Sequence, residues 1–390
     1  MTMRFLTAGE SHGSALTAIL DGLPAGLKLD VEAVNADLSR RQTGYGAGPR
    51  MKMEHDHAVI SGGVMGGLTT GAPLALTIEN RDHSHWKDKE IDPFTIPRPG
   101  HADLTGAVKY GYTDLRPALE RASARETAAR VAIGAVCRQL LSEFHILVGG
   151  YVISIDGIDS NPTDMTLHDR IRLARESDVS CPDEQAAEAM RVRIREATLA
   201  KDTLGGVIET VAIGLPVGLG SYSQWDKRLE SRIGAAILSI QAIKGMEIGP
   251  AFENARLPGT SVHDAIQTDG SSLTRPANRA GGLEGGITNG QPLVVRAAMK
   301  PIATTLTPQQ SVDLSTGQQV DTQYERSDFC PVPRAVVVIE SMLAFVLADT
   351  LLEKLGGDSI AEMRPRFETL RTPRPDDLPM ENIPHIWWPE

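Results

Sequence analysis

The chain has 390 residues, of which 41% are hydrophobic and 23% charged, with a formal net charge of −11. That length supports one large domain or two ordinary ones, and the acidic balance argues against nucleic acid as the main partner. Three widely separated cysteines (Cys137, Cys181 and Cys330) argue against a disulfide scaffold or zinc knot and point to a reducing cytoplasm. No apolar run reads as a membrane span, and the N-terminus lacks the basic and apolar regions of a signal peptide. The positive charge is unevenly chosen: 29 of the 39 basic residues are arginine, whose planar fork binds carboxylate and phosphate bidentately.

In chain order, the first unusual stretch is Gly9-Glu10-Ser11-His12-Gly13, a carboxylate, a hydroxyl and an imidazole between two glycines. Asp30 then caps an expected helix in which Val31, Val34 and Leu38 share a face, delivering Arg40 and Arg41 to its end. The following "RRQTGYGAGPR" sets Arg40, Arg41 and Arg50 around three glycines, a loop suited to close approach by an anion. Residues 72–79 read as a strand. His55 with His57, and His83 with His85, have the spacing that puts two imidazoles on one strand face. Neither pair has a third spaced ligand, so no metal site is expected.

"RPGHADLTG" carries Arg98, His101 and Asp103 in a loop stiffened by proline and glycine. Ser123 and Glu126 form an S-x-x-E capping box that predicts a helix to about Phe144, with Arg121 and Arg125 at an anion-friendly helix start. Strands are expected over 151–157, 205–214 and 291–299. Leu229, Ile233, Ile237, Ile240 and Ile243 predict one helix through "RLESRIGAAILSIQAIKG", with Gly245 as its C-cap. The glycine-dense "NRAGGLEGGITNG", then "MKPIATT", then "ERSDF" supply further loop candidates. A helix apolar nearly all round follows Pro333 and ends at Gly356-Gly357, which reads as buried. The connections between strands are glycine-rich rather than regular crossovers. An α+β fold with antiparallel sheets is therefore expected, in place of a doubly wound parallel one. One domain over 1–357 and a Pro-rich tail over 358–390 complete the expected organisation.

Ten of these strings, in order, resemble chorismate synthase: "TAGESHG", "RRQTGYG", "RPGHADLTGAVKYG", "ERASARETAARVAIGAV", "TLGGVIE", "LPVGLGSY", "IQAIKGMEIG", "NRAGGLEGGITNGQP", "MKPIATT" and "ERSD". The resemblance runs from about residue 4 to about residue 357. It implies a layered β-α-β sandwich, with helices packed between antiparallel sheets, and a homotetramer. The implied reaction is the 1,4-anti elimination of phosphate from 5-enolpyruvylshikimate 3-phosphate to give chorismate. That step requires reduced FMN without net redox change, and NADPH is a candidate reductant. Neither nucleic acid nor a membrane is an implied partner.

The resemblance also implies roles. His12, His101, Ser11 and Asp328 would handle protons: His12 at the reduced flavin, His101 at the leaving phosphate, and Ser11 with Asp328 as a relay near flavin N5. Arg41, Arg50 and Arg98 would bind substrate. Arg121, Ala122, Ser123, Gln241, Ala242, Gly285, Lys300, Pro301, Ile302, Ala303, Thr304 and Arg326 would contact the flavin. Arg41 and Ala47 fall where a nicotinamide nucleotide is expected. Ala47 is a departure, because the family commonly has arginine there. The segment from Trp86 to Pro97 is shorter than usual, which implies a more open site mouth. The alternative function is a flavin-dependent oxidoreductase acting on a phosphorylated carboxylic acid.

Overall fold

A computed structural model describes residues 3–47, 55–324 and 327–388. Period-two burial builds the first sheet. Strands β1 (Arg4–Ala8), β2 (Ala15–Asp21), β3 (Ala58–Gly62) and β4 (Leu74–Glu79) pair antiparallel in the order β1-β2-β4-β3. Leu16, Ala18, Leu20, Leu74, Leu76 and Ile78 line its buried face. Leu6, Ile19 and Val59 are exposed on the opposite face. Of these strands only β4 was expected; β1 and β2 are joined through the Gly9–Gly13 turn itself.

Helices α1 (Val31–Gln42), α2 (Asp103–Tyr110), α3 (Arg116–Ala122) and α4 (Thr127–Ser142) precede the second sheet. The Asp30 carboxylate accepts from the N–H groups of Glu32 and Ala33, so α1 starts where its sequence predicts. The expected capping box does not form. Ser123 Oγ accepts from the Arg125 N–H, but the Glu126 carboxylate turns away to Thr7, Arg130 and Gln241. Residues 124–126 are a 3₁₀ turn, and α4 begins only at Thr127.

The second sheet contains β5 (Leu147–Ile155), β6 (Ile158–Asp159), β7 (Gly206–Ile213), β8 (Ile243–Ile248) and β9 (Leu293–Met299), all antiparallel, in the order β8-β9-β7-β5-β6. Helix α5 (Leu167–Glu176) packs on its outer side, and α6 (Glu184–Leu199) lies against β6. Adjacent glycines in β5 let helices approach both faces: Gly149 meets Ile171 of α5, whereas Gly150 faces Val336.

The long helix expected over 228–245 is two elements. Helix α7 (Leu229–Leu238) ends, and Ala242 turns the chain at φ +66° into β8. Gly245 therefore lies in a strand, beside a bulge, and is not a cap. The isoleucine spacing fits the interior of either element, which is why periodicity alone did not separate them.

Helix α8 (Val332–Leu355) fills the middle layer, packing against α4, α1, α7, β5 and β7. It has the length and apolarity to cross a membrane, contrary to the sequence expectation, but its most apolar window is wholly buried inside the protein. At the crossing with α4, a Cβ on Gly134 would collide with the Ser341 backbone, so only glycine permits this approach. Buried Glu340 sits in the same layer, accepting from Arg40 at 2.7 Å, Arg138 at 2.9 Å and the Gly150 N–H at 2.8 Å. Beyond α8, residues Ile360–Glu368 form helix α9, anchored by buried Ile360 and Met363. The arrangement is the expected α+β sandwich of helices between antiparallel sheets, with α5 as an added outer layer.

Candidate active site

The turn from β1 to β2 is held from three sides. Gly9 adopts φ +109°, and a Cβ there would strike the Ala15 carbonyl, so the chain can reverse this tightly only with glycine. The Asn80 amide nitrogen donates to the carbonyls of Glu10 (3.1 Å) and Gly13 (2.8 Å), closing the turn. On α3, the Glu120 carbonyl accepts from the Ser11 N–H at 3.2 Å. The Glu120 carboxylate accepts both from the His12 N–H and from His12 Nδ1, each at 2.8 Å. Burial alone would raise the Glu120 carboxyl. The His12 hydrogen bonds and charge, with Arg116 behind them, outweigh it and hold Glu120 below the usual carboxylate range. It is thus an ionised acceptor, and His12 donates to it from Nδ1. Trp86 packs on the His12 ring at 4.4 Å between centroids, and His83 Nδ1 donates to the His12 carbonyl at 3.0 Å. Ser11 Oγ lies 3.1 Å from Ser123 Oγ at the end of α3.

A second imidazole–carboxylate pair stands at the start of α2. His101 Nδ1 is 2.5 Å from Asp103 Oδ1. Asp103 is fully buried and also accepts from Arg98, at 2.8 Å from Nε and 3.0 Å from Nη2. Burial pushes the Asp103 carboxyl up, but the bonds from His101 and Arg98 and the Arg98 charge bring it far below its ordinary value. Arg98 Nη2 lies 3.0 and 3.3 Å from the two His101 ring nitrogens, and Nη1 donates to Thr304 Oγ1 at 3.3 Å. The Lys300 ammonium donates to the Gly100 carbonyl at 2.6 Å, which fixes the turn before His101.

Aromatic and cationic groups link the two pairs. The Arg116 guanidinium lies over Trp86 at 5.5 Å and over Phe94 at 5.7 Å, and Arg98 lies over the same Phe94 ring at 5.6 Å. From His12 the contacts therefore run through Trp86, Arg116, Phe94 and Arg98 to His101. The 86–97 segment spans them.

Buried arginines flank this chain of contacts. Arg41 donates to Thr127 Oγ1 and to the Ala124 carbonyl, each at 2.8 Å. Arg125, expected at an anion-friendly helix start, is buried, with Nη1 2.7 Å from Asp56 and Nε 2.8 Å from Asn80 Oδ1. Asp56 also lies 3.7 Å from Arg41. Two guanidinium groups thus share one carboxylate, which leaves local positive charge in an acidic protein.

The expected flavin contacts are mostly gathered on one rim. Arg121 donates to Thr7 Oγ1 at 2.9 Å, Thr7 donates to Glu126 at 2.7 Å, and Gln241 Nε2 donates to Glu126 at 3.2 Å. The Lys300 N–H donates to the Ala242 carbonyl at 3.0 Å, and the Ile302 carbonyl accepts from Thr203 at 2.8 Å. Gln241 Oε1 is buried with no partner among the described residues, an acceptor placed for a ligand N–H. Gly285 is apart. Its hairpin neighbour Gly286 accepts from Leu229 at the start of α7, whereas Gln241 follows the end of that helix. Asp328 pairs with Arg334 at 2.8 Å near the head of α8, and the adjacent Phe329 N–H donates to Gly46. Ala47 closes that glycine turn through a bond to the Gly44 carbonyl. Arg50 and Arg326 lie outside the described residues.

Sequence reasoning did not anticipate Glu120, Asn80 or Asp56. Glu120 lies in "ERASARE", but the capping reading directed attention to its neighbours. His83 and His85 sit on a 3₁₀ turn rather than a strand, His83 serving the His12 turn and His85 lying 3.3 Å from Asp82.

The sequence model of the chorismate synthase family matches residues 3–352. The chain is 50% identical to the chorismate synthase of Trichlorobacter lovleyi over 379 residues, 93% of this chain and 97% of the relative. It is 51% identical to that of Aquifex aeolicus over 387 residues, 94% of this chain and 96% of the relative. A solved structure titled "Crystal Structure of Chorismate Synthase" superposes with a TM-score of 0.77 at 45% identity, covering 94% of this chain and 97% of its own. With the family model matching residues 3–352 and relatives about half identical over nearly their whole length, the chain belongs to the chorismate synthase family.

Proposed function

We propose that this site performs the family's elimination, in which 5-enolpyruvylshikimate 3-phosphate loses phosphate and a ring hydrogen to yield chorismate. The observation that carries the reading is the pair of imidazoles, His12 and His101, each bonded through Nδ1 to an ionised carboxylate beside buried arginines. A substrate with two carboxylates and a phosphate needs such a well of positive charge. Arg41, Arg98 and Arg125 form it among the described residues, and Arg50 belongs to it by resemblance. With Nδ1 committed to Asp103, Nε2 is the nitrogen through which His101 would deliver a proton to the departing phosphate, and Arg98, 3.3 Å from that nitrogen, stabilises the charge on that group. His12 holds a proton at the opposite corner. Ser11, with Asp328 as its relay partner, completes the proton-handling set. Imidazole suits these duties because its unperturbed pKa lies close to working pH.

The residues fit a flavin: Gln241 offers a buried acceptor, Ala242 and the 300–304 segment offer backbone, and Arg121 and Lys300 offer charge. Reduced FMN, when bound, supplies electron density to the allylic system as phosphate leaves. Lys300 and Arg121 would balance the cofactor phosphate and fix its orientation, with Ser123 and Thr304 placed at the rim. NADPH is the candidate reductant. Arg41 is engaged by Thr127, Ala124 and Asp56, and Ala47 brings no charge to that position.

Assembly into a homotetramer is supported by the apolar outer face of the first sheet, where Leu6 is 70% and Val59 64% exposed. A cytoplasmic location is supported by three free, buried thiols.

An anaerobic assay with chemically reduced FMN and the enolpyruvyl substrate tests the reaction. Chorismate and phosphate are expected in equal amounts. Stoichiometric NADPH consumption with a reduced organic product would favour the flavin oxidoreductase reading instead.

A further inference from the structure

We infer that Glu120 is the positioning residue for His12: one carboxylate grips the residue at two points and sets which ring nitrogen carries the exchangeable proton. The inference rests on the proton-handling role proposed for His12. Glu120 lies on α3, a different element from the turn that carries His12, and its two oxygens accept separately from the backbone N–H and from Nδ1, both at 2.8 Å. A bond to the backbone fixes where the residue sits. A bond to the ring fixes how the imidazole is turned and which tautomer it adopts. Both side chains are largely enclosed, 16% exposed for His12 and 12% for Glu120, so water competes weakly for either bond.

The surroundings favour this division of labour. Trp86 covers the ring on one side, and His83 holds the carbonyl of the same residue. The charged and titratable groups facing the pair are His83 from the 81–85 turn and Arg116 from the first turn of α3, whose charge supports the ionised form of Glu120. With Nδ1–H directed at Glu120, Nε2 is the nitrogen at which His12 gains or loses a proton. The same logic operates at His101 through Asp103. There, however, the carboxylate also carries the buried Arg98, so its substitution would not isolate the effect on the ring. At Glu120 it does.

Glu120→Gln tests the assignment. A glutamine has one acceptor oxygen where two donors require one each. The backbone N–H cannot change, so the ring must yield, and its proton moves to Nε2. In nitrogen-15 NMR of the resting enzyme, the wild type should show the Nδ1–H tautomer at His12 and the variant the Nε2–H tautomer. Turnover should fall about 10- to 100-fold, with substrate KM and flavin affinity within about threefold of wild type. Glu120→Asp, which keeps the charge but reaches only one donor, should be intermediate and guards against a folding failure in the glutamine variant. Added to His12→Ala, Glu120→Gln should cost nothing further, because both changes remove one function. If Glu120→Gln turns over within twofold of wild type while His12→Ala is crippled, the positioning role is wrong. It is equally wrong if the two losses multiply. Should His12→Ala itself keep full turnover, the role given to His12 fails rather than the role of its partner.

Discussion

Asn80 Oδ1 accepts from Arg125 Nε at 2.8 Å, while the amide nitrogen of the same Asn80 donates to both ends of the Gly9–Gly13 turn. One buried amide thus couples the loop that presents Ser11 and His12 to an arginine of the proposed substrate well. Asn80→Ala should leave these buried groups unsatisfied, costing about 1–3 kcal/mol of stability. It should also lower kcat/KM at least about tenfold, because both turn and arginine lose their alignment. Denaturant unfolding and anaerobic steady-state kinetics check the two effects; full activity in a less stable protein would limit Asn80 to a structural role.

Asp103→Asn should be worse. It leaves the Arg98 guanidinium buried without its counter-charge, for which a loss of about 3–5 kcal/mol is expected. It also lets His101 adopt the wrong tautomer, so turnover should fall even under conditions where the variant is folded. Circular dichroism melts together with phosphate release separate the two consequences.

Glu340 gives the clearest dependence of stability on pH. Burial would raise its carboxyl, but the charge and bonds of Arg40 and the charge of Arg138 hold it below the normal range. A carboxylate depressed on folding stabilises fully above its unfolded value, about 4.3, and loses that contribution as pH falls through the folded value. Urea unfolding of the wild type should therefore weaken on acidification below about pH 4.3. Glu340→Gln should remove part of that slope and cost about 1–3 kcal/mol at neutral pH, since the half-buried Arg40 and Arg138 keep only Asp37 as a counter-charge among the described residues. A variant as stable as wild type at pH 7 would show that the network contributes nothing net.

Ala47 tests the departure from the family pattern. Ala47→Arg should tighten substrate binding or leave it unchanged, measured by titration under anaerobic conditions. A clear loss of affinity would show that the turn at 44–47 has been remodelled for another purpose.

The sequence revealed those elements in which one physical signal dominated. Apolar stripes announced α4 and α8, and the Asp30 cap located α1. Strands β1 and β2 were hidden because their exposed faces carry Leu6 and Ile19, which blur the period-two alternation. The α7–β8 boundary was hidden because Ala242, a residue without turn chemistry, adopts the left-handed conformation there. In the site, residue type and loop context marked His12, His101, Arg41 and Arg98. Their supports, Glu120, Asn80 and Asp56, are distant in sequence and act by hydrogen bonds that only the folded chain brings together. Ser123 and Glu126 matched a capping box, but tertiary partners at Thr7 and Gln241 captured the glutamate.

The most direct test of the two-imidazole account is anaerobic turnover of His12→Ala and His101→Ala with reduced FMN and the enolpyruvyl phosphate substrate. Each variant should lose at least about 100-fold in kcat, with substrate and flavin affinities changed only a few-fold. Phosphate release by either variant at the wild-type rate would contradict it.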